Sequence, residues 1–166
     1  MIRTLTLAAA ALLVAAPAFA APTVSAKVSH NCCGQCDRAI TATGPKIPWV
    51  GDLKSDKANL SVNLTPSASG KVDVMQAVSA FKASGFPLSA IKVEGAKSLE
   101  INAGHLCCAG CANPLKEALM KVKGLSALQV NPNQPVKATI NGTLDASEII
   151  KTLDEAGFSA ITFVVQ

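Results

Sequence analysis

Every histidine and every cysteine of the chain falls in two heptapeptides, His30-Asn31-Cys32-Cys33-Gly34-Gln35-Cys36 and His105-Leu106-Cys107-Cys108-Ala109-Gly110-Cys111. Each residue of the first set lies 75 positions before its counterpart in the second. Each heptapeptide offers three sulfurs and one imidazole. Thiolates are soft ligands that suit Cu(I), Zn(II) or Hg(II) and do not suit Mg(II) or Ca(II). A three-cysteine, one-histidine set would satisfy tetrahedral zinc, whereas two or three thiolates alone would satisfy Cu(I). The candidate ligands are therefore Cys33, Cys36, Cys108 and Cys111, then Cys32 and Cys107, then His30 and His105. A helix opening at the second cysteine of each C-x-x-C would favour the thiolate form through its free N–H groups and dipole.

Two other chemistries fit the same residues. An exported protein meets oxidants, so Cys33–Cys36 or Cys108–Cys111 could close as structural disulfides, leaving one odd thiol in each set. A thiol–disulfide redox protein also uses C-x-x-C, but no thioredoxin-like strand–helix–strand pattern accompanies the motif here. The two imidazoles lie among cysteines and not near a nucleophile elbow, so hydrolytic chemistry has no footing. The chain reads as a non-enzyme.

The elements that must carry these loops repeat as well. Asp73 and Asp145 are 72 apart, as are Gly85-Phe86 and Gly157-Phe158, so the chain is a tandem duplication with a slightly longer first copy. In the second copy Leu99 and Ile101 predict a strand before the motif. Leu115, Ala118, Leu119 and Val122 then recur at helical spacing. Pro114 is expected in the first turn of that helix, where its missing N–H costs nothing, which puts Cys111 at or just before the N-terminus. Leu128 and Val130 suggest a strand, Asn131 to Pro135 a turn, and Val136, Ala138 and Ile140 a third strand. Asp145-x-x-Glu148 resembles a capping box for a helix carrying Ala146, Ile149, Ile150 and Leu153, which stops at Gly157. Ile161, Phe163 and Val165 give a last strand.

The first copy follows the same order. Its first helix is shortened by Gly44-Pro45, and Pro48 and Trp49 lie in the extra loop. Leu60, Val62 and Leu64 alternate, Asp73-x-x-Gln76 opens a helix that ends at Gly85, and Ile91 and Val93 close the sheet. Met75 and Met120 read as core residues of their helices.

The predicted fold class is α+β. Two tandem ferredoxin-like βαββαβ domains each pair a four-stranded antiparallel sheet with two helices on one face. The domains span residues 21–94 and 97–166, with a short linker between them. Each motif sits in a tip loop beside a helix N-terminus, and the two motifs are not expected to form one shared site.

Composition narrows the setting. Residues 1–20 contain one basic residue, Arg3, an apolar run from Leu5 to Ala16, and the small-x-small ending Ala18-Phe19-Ala20. They read as a secretory signal peptide cleaved after Ala20, too short in its apolar run to span a bilayer. That leader accounts for part of the 49% hydrophobic content. The rest keeps Arg38, Trp49, no tyrosine and scattered lysines, a pattern without the clustered cations and stacking platforms of nucleic-acid binders. No second apolar stretch predicts a membrane span. The expected location is secreted or periplasmic.

Taken together, the motif and the βαββαβ unit resemble the heavy-metal-associated domain. This small module occurs in copper chaperones, in the soluble metal-binding domains of copper-transporting ATPases and in the periplasmic mercury-binding protein. The family's Met-x-Cys-x-x-Cys pair corresponds to Cys33 and Cys36, and to Cys108 and Cys111. Lys123-Gly124-Leu125 and the ending Ala156-Gly157-Phe158 match the family's step into its second strand and the end of its second helix. The family methionine is replaced by Asn31 and Leu106, and Cys32 or Cys107 is added. The resemblance implies a soft-metal-binding protein, with copper first and zinc or mercury next. It would take about one ion per domain, for trafficking, sequestration or sensing, and its partner would be a metal transporter or acceptor protein. The extra thiol implies tighter binding and slower release than a two-thiolate site.

Overall fold

Alternating small and branched apolar residues build the central strands, and their placement decides where the cysteine loops emerge. The computed structural model describes residues 21–67 and 70–166. The leader of residues 1–20 lies outside the described residues. In the first unit the order is β1 (Thr23–Val28), α1 (Gly34–Thr41), a short 3-10 turn (Gly44–Lys46), β2 (Val50–Asp56), β3 (Ser61–Pro66), β4 (Val72–Asp73), α2 (Val74–Ala83) and β5 (Leu88–Glu94). The second unit repeats it with β6 (Ser98–Ala103), α3 (Ala109–Leu119), β7 (Leu125–Gln129), β8 (Val136–Ile140), β9 (Leu144–Asp145), α4 (Ala146–Glu155) and β10 (Ala160–Val165).

The strands form two antiparallel sheets in the orders β2-β3-β1-β5-β9 and β4-β10-β6-β8-β7. Within each sheet the four long strands come from one unit in the ferredoxin-like order, so the α+β class and the two-unit architecture are as the sequence predicts. The register aligns the inward faces. Val24 pairs with Leu64 on one side and Val93 on the other, and Ile101 with Val136 and Phe163. All six of these side chains are fully buried, and burial of large aliphatic or aromatic groups at this level contributes roughly 1.5–3 kcal/mol each.

The fifth strand of each sheet is the departure from four-stranded units. Each is a two-residue segment donated by the other unit. Asp145 and Leu144 pair with Lys92 and Val93 of β5, while Asp73 and Val72 pair with Val164 and Val165 of β10. Beyond these pairs the Ile91 N–H donates to Ser147 Oγ (2.7 Å) and the Phe163 N–H to Asp73 Oδ1 (3.2 Å). The last strand of a ferredoxin-like unit is otherwise an open edge, which proteins cover or blunt. Here each unit covers its neighbour's, and the buried apolar residues of both join into one cluster.

Several local expectations change. Pro114 lies inside α3 and not in its first turn, because the helix begins at Ala109. The proline removes one backbone bond, and burial of Ala112, Leu115 and Leu119 carries the helix through it. Met120 is the C-cap of α3 and 68% exposed, so it is not a core residue, whereas Met75 packs against the core. Ile161 is 62% exposed because β10 has a register irregularity between Ala160 and Thr162 that turns it outward. Trp49 is buried, and its indole N–H donates to the Asp73 carbonyl (2.9 Å), so the extra segment of the first unit belongs to the packed structure. Gly85 and Gly157 follow α2 and α4 with φ of +85° and +80°, the left-handed conformation that ends a helix and that a Cβ would strain.

Asp73 and Asp145 occupy equivalent helix N-caps but carry different loads. Asp73 accepts from the Met75 N–H and from the Phe163 N–H across the unit boundary, whereas Asp145 accepts, among the described residues, from the Glu148 N–H alone. Asp145→Ala is expected to cost about 1 kcal/mol and Asp73→Ala about 2–3 kcal/mol, measured by chemical denaturation. Equal losses would show that the edge contact contributes nothing in solution.

Candidate metal centre

Each cysteine loop joins the end of a central strand to the start of a helix. Asn31 and Leu106 mark where the chain leaves β1 and β6, and both side chains turn inward and are buried. The next residue, Cys32 or Cys107, is exposed. Cys33 and Cys108 are then the N-caps of α1 and α3, in extended conformation with φ of −145° and −152°. Cys36 and Cys111 fall one turn later, half-buried against the core. The helix thus begins one cysteine earlier than the motif spacing suggested. The first thiol of C-x-x-C faces the free N–H groups, and the second rides in the first turn.

This geometry brings the sulfurs together. Cys32, Cys33 and Cys36 form one group, and Cys107, Cys108 and Cys111 another, with all three sulfurs of each within 4.8 Å of one another. The Cys33 and Cys36 sulfurs are 3.4 Å apart, Cys32 and Cys36 3.6 Å, and Cys108 and Cys111 3.8 Å. With metal–sulfur bonds of about 2.3 Å, sulfurs around a tetrahedral ion sit about 3.8 Å apart, those around a trigonal ion about 4.0 Å, and those of a linear pair about 4.6 Å. The spacings fit a three- or four-coordinate soft ion after adjustments of a few tenths of an ångström.

The histidines are elsewhere. The His30 ring lies on Phe86, with centroids 4.7 Å apart, and its Nδ1 is 3.1 Å from Ser29 Oγ. His105 is exposed with φ +64°, and its carbonyl accepts from the Cys107 N–H. Neither imidazole belongs to the sulfur groups. Asp37 also stays out of them. Its carboxylate accepts from Asn31 Nδ2 (3.2 Å), and hydrogen bonds from Ser55 and Asn31 hold its pKa below the usual carboxylate range.

Electrostatics separates the three thiols of each set. The backbone N–H of Cys36, then its side chain, then the N–H of Gln35 stabilise the Cys33 thiolate and lower its pKa to about 7. Cys108 is lowered in the same way by Cys111 and Gly110. Cys32 and Cys107 are raised, first by hydrogen bonding to the sulfur of Cys36 or Cys111, and then by the repulsion of neighbouring thiolates. In each set the N-cap sulfur thus gives up its proton more readily than the thiol that precedes it, whose charged form its neighbours oppose.

Motif spacing alone did not reveal Asn31, Ser55, Phe86 or Asn133 as supports of these loops. Asn31 Nδ2 donates to Ser55 Oγ (3.0 Å) as well as to Asp37, linking the first loop to β2 and α1. In the second unit the Asn133 N–H donates to the Leu106 carbonyl (2.6 Å) and its Nδ2 to the Cys107 carbonyl (3.3 Å). Ser55 lies 24 residues from Asn31, Asn133 lies 26 and 27 residues from Cys107 and Leu106, and Phe86 lies 56 residues from His30. The one available signal was a polar residue at an inward position, Asn31.

Residues 100–159 match the heavy-metal-associated domain family. Among solved structures, the chain is similar to a copper-binding domain from HMA7, a P-type ATPase. The identity is 22%, 40% of this chain and 92% of that one are covered, and the TM-score is 0.36. It is also similar to the N-terminal soluble domains of Bacillus subtilis CopA, at 20% identity, with 84% and 92% covered and a TM-score of 0.37. A second structure, of the water-soluble region of that P-type ATPase, gives 19% identity, 87% and 90% covered, and 0.37. No curated protein matches the sequence.

The lowered pKa gives a direct test. Alkylation of Cys33 by iodoacetamide, followed peptide by peptide in a mass spectrometer, should rise with a midpoint near pH 7, while Cys32 should lag to pH above 9. Below pH 7 the Cys33 thiolate is lost and its rate should fall tenfold per unit. A Cys33 midpoint no lower than that of Cys32 would mean that the helix N-terminus does not act on Cys33. The family match falls within the second unit, and the first unit repeats that unit's strand order and cysteine loop.

Proposed function

We propose that this is an exported, non-enzymatic soft-metal-binding protein that takes about one Cu(I) ion in each unit, for trafficking, sequestration or sensing. The observation that carries the reading is the pair of three-sulfur groups, each within 4.8 Å, on exposed loops at helix N-termini. Sulfur-only donor sets select soft ions. Cu(I) accepts two or three thiolates, so it needs neither imidazole. Zn(II) would require a fourth donor from water or a second molecule, and Hg(II) is accommodated as Cu(I) is. The metal is cargo on this reading. It reaches the loops without passing through the core, and an acceptor protein with a similar exposed loop could take it by ligand exchange. Residues 1–20 would direct the chain to the periplasm or outside the cell.

The sulfur positions support a division of roles among the cysteines. Cys33 and Cys108 supply the more acidic thiol of each set, that of Cys33 with a pKa of about 7. Cys36 and Cys111 complete the chelate from within the first helical turn, where packing against the core fixes them. Cys32 and Cys107 are additional donors.

Native mass spectrometry of the reduced protein from residue 21 onward, titrated without oxygen against Cu(I) and Zn(II) under a competing chelator, tests the reading. Two Cu(I) ions per chain, retained under competition that strips zinc, are expected. Retention of neither ion, with intramolecular disulfides returning rapidly in air, would replace it with a thiol–disulfide role.

A further inference from the structure

The chain between the two units is tied down at both ends and is no free hinge. Ala96 is 1% exposed, the Lys97 N–H donates to the Gln166 carbonyl (2.6 Å), and the Lys97 carbonyl accepts from the Ile140 N–H (2.8 Å). The reciprocal edges hold the units at two further places. Val72 and Asp73 of the first unit run along β10, and Leu144 and Asp145 of the second run along β5. Val78 and Leu88 of the first unit and Ile150 of the second line one groove at this junction and pack on the shared core. Asp73 joins three elements. Its Oδ1 accepts from the Phe163 N–H of β10, and its carbonyl accepts from the indole N–H of Trp49, which lies in the segment between α1 and β2. Units joined by a flexible linker open separately. Here the opening of either unit would strip β5 or β10 of its outer partner and expose part of the common core in the unit left behind.

We propose that the reciprocal edges make the two metal sites one thermodynamic system: the units unfold and fold together, so an ion held by either cysteine set stabilises the fold beneath both. The inference rests on the soft-metal reading and adds how the two sites influence each other. In the well-folded chain the affinity of each site is unchanged by the other, because both are already formed. The coupling acts when folding is marginal. There the first ion raises the folded fraction for the second site as well, and the second ion binds more tightly in proportion. A chain carrying a single ion therefore keeps its empty site built and ready for the next.

Trp49 makes the test direct. It is the single tryptophan of the chain, it belongs to the first unit, and it can report on metal held by the second. The chain from residue 21 onward with Cys32→Ser/Cys33→Ser/Cys36→Ser keeps only the second cysteine set. It is unfolded in urea, reduced and without oxygen, and followed by Trp49 fluorescence. A chelator holds free Cu(I) at about 100 times the dissociation constant of that set, and native mass spectrometry checks that the ion is retained. The folded-to-unfolded ratio read at Trp49 should rise about 100-fold over the metal-free chain. A Trp49 transition that stays in place while the ion is retained would overturn the proposal and leave the metal function standing. Adding Asp73→Ala/Ser147→Ala removes the side-chain acceptors of the Phe163 and Ile91 N–H groups, and most of the rise should be lost. A full rise in that variant would overturn the edges as the link. Failure to retain Cu(I) would overturn the metal reading, and the coupling is then read without metal. Ile140→Val, a core substitution in β8 of the second unit, should lower the ratio at Trp49 about fivefold. An unchanged ratio there would overturn the coupling itself.

Discussion

The site depends on one constraint: a cysteine must occupy the N-cap of the helix that follows the first strand of each unit. A helix start leaves backbone N–H groups without partners, and Cys33 and Cys108 fill the place that serine or aspartate takes in an ordinary helix. The sulfur gains a lowered pKa from those groups, and the helix gains a partial negative charge at its positive end. The remaining geometry follows. Three residues on, the second cysteine lies on the same side of the first turn, so the two sulfurs approach to 3.4 Å or 3.8 Å without any other chain segment having to bring them there. The sheet beneath sets the depth of the helix through Ile40, Leu115 and Leu119, and so sets how far the sulfurs stand above the core.

The second organising feature is the reciprocal edge. Each unit ends in a strand with one free side, and each begins its second helix with a two-residue extended segment. Exchanging these segments satisfies both edges, and Asp73 and Ser147 supply side-chain acceptors for backbone N–H groups just beyond the paired residues. The contact lies along β5 and β10, while the metal loops leave β1 and β6. The six sulfurs accordingly stay in two separate groups. The units share a core and keep their sites apart.

Much of this was legible in the sequence where periodicity is strong. The alternation of Val136, Ala138 and Ile140, the helical spacing of Ile149 and Leu153, and the exact repeat of the cysteine loops predicted β8, α4 and both tips. What escaped reading carries little periodic signal. β2 is the polar run Val50–Asp56 on a sheet edge, where both faces tolerate water. β4 and β9 are two residues long, and their partners are in the other unit. Pro114 misled the placement of α3 because buried neighbours outweigh one missing hydrogen bond. Met120 and Ile161 misled the core because a helix end and a strand irregularity turn them outward. In the cysteine sets, residue type and spacing named all six sulfurs but could not separate them from the histidines. His30 departs because Phe86, the aromatic residue after the α2 stop, offers its ring a stacking surface.

The claim that the exposed cysteine tips alone hold the ion is tested most directly by copper K-edge X-ray absorption on the chain loaded with two equivalents of Cu(I). The account predicts a first shell of sulfur only, at about 2.3 Å, with an average of two to three sulfurs per copper. A nitrogen or oxygen neighbour at about 2.0 Å would contradict it, because it would require His30 to leave Phe86, His105 to turn back across its loop, or a donor from outside the chain.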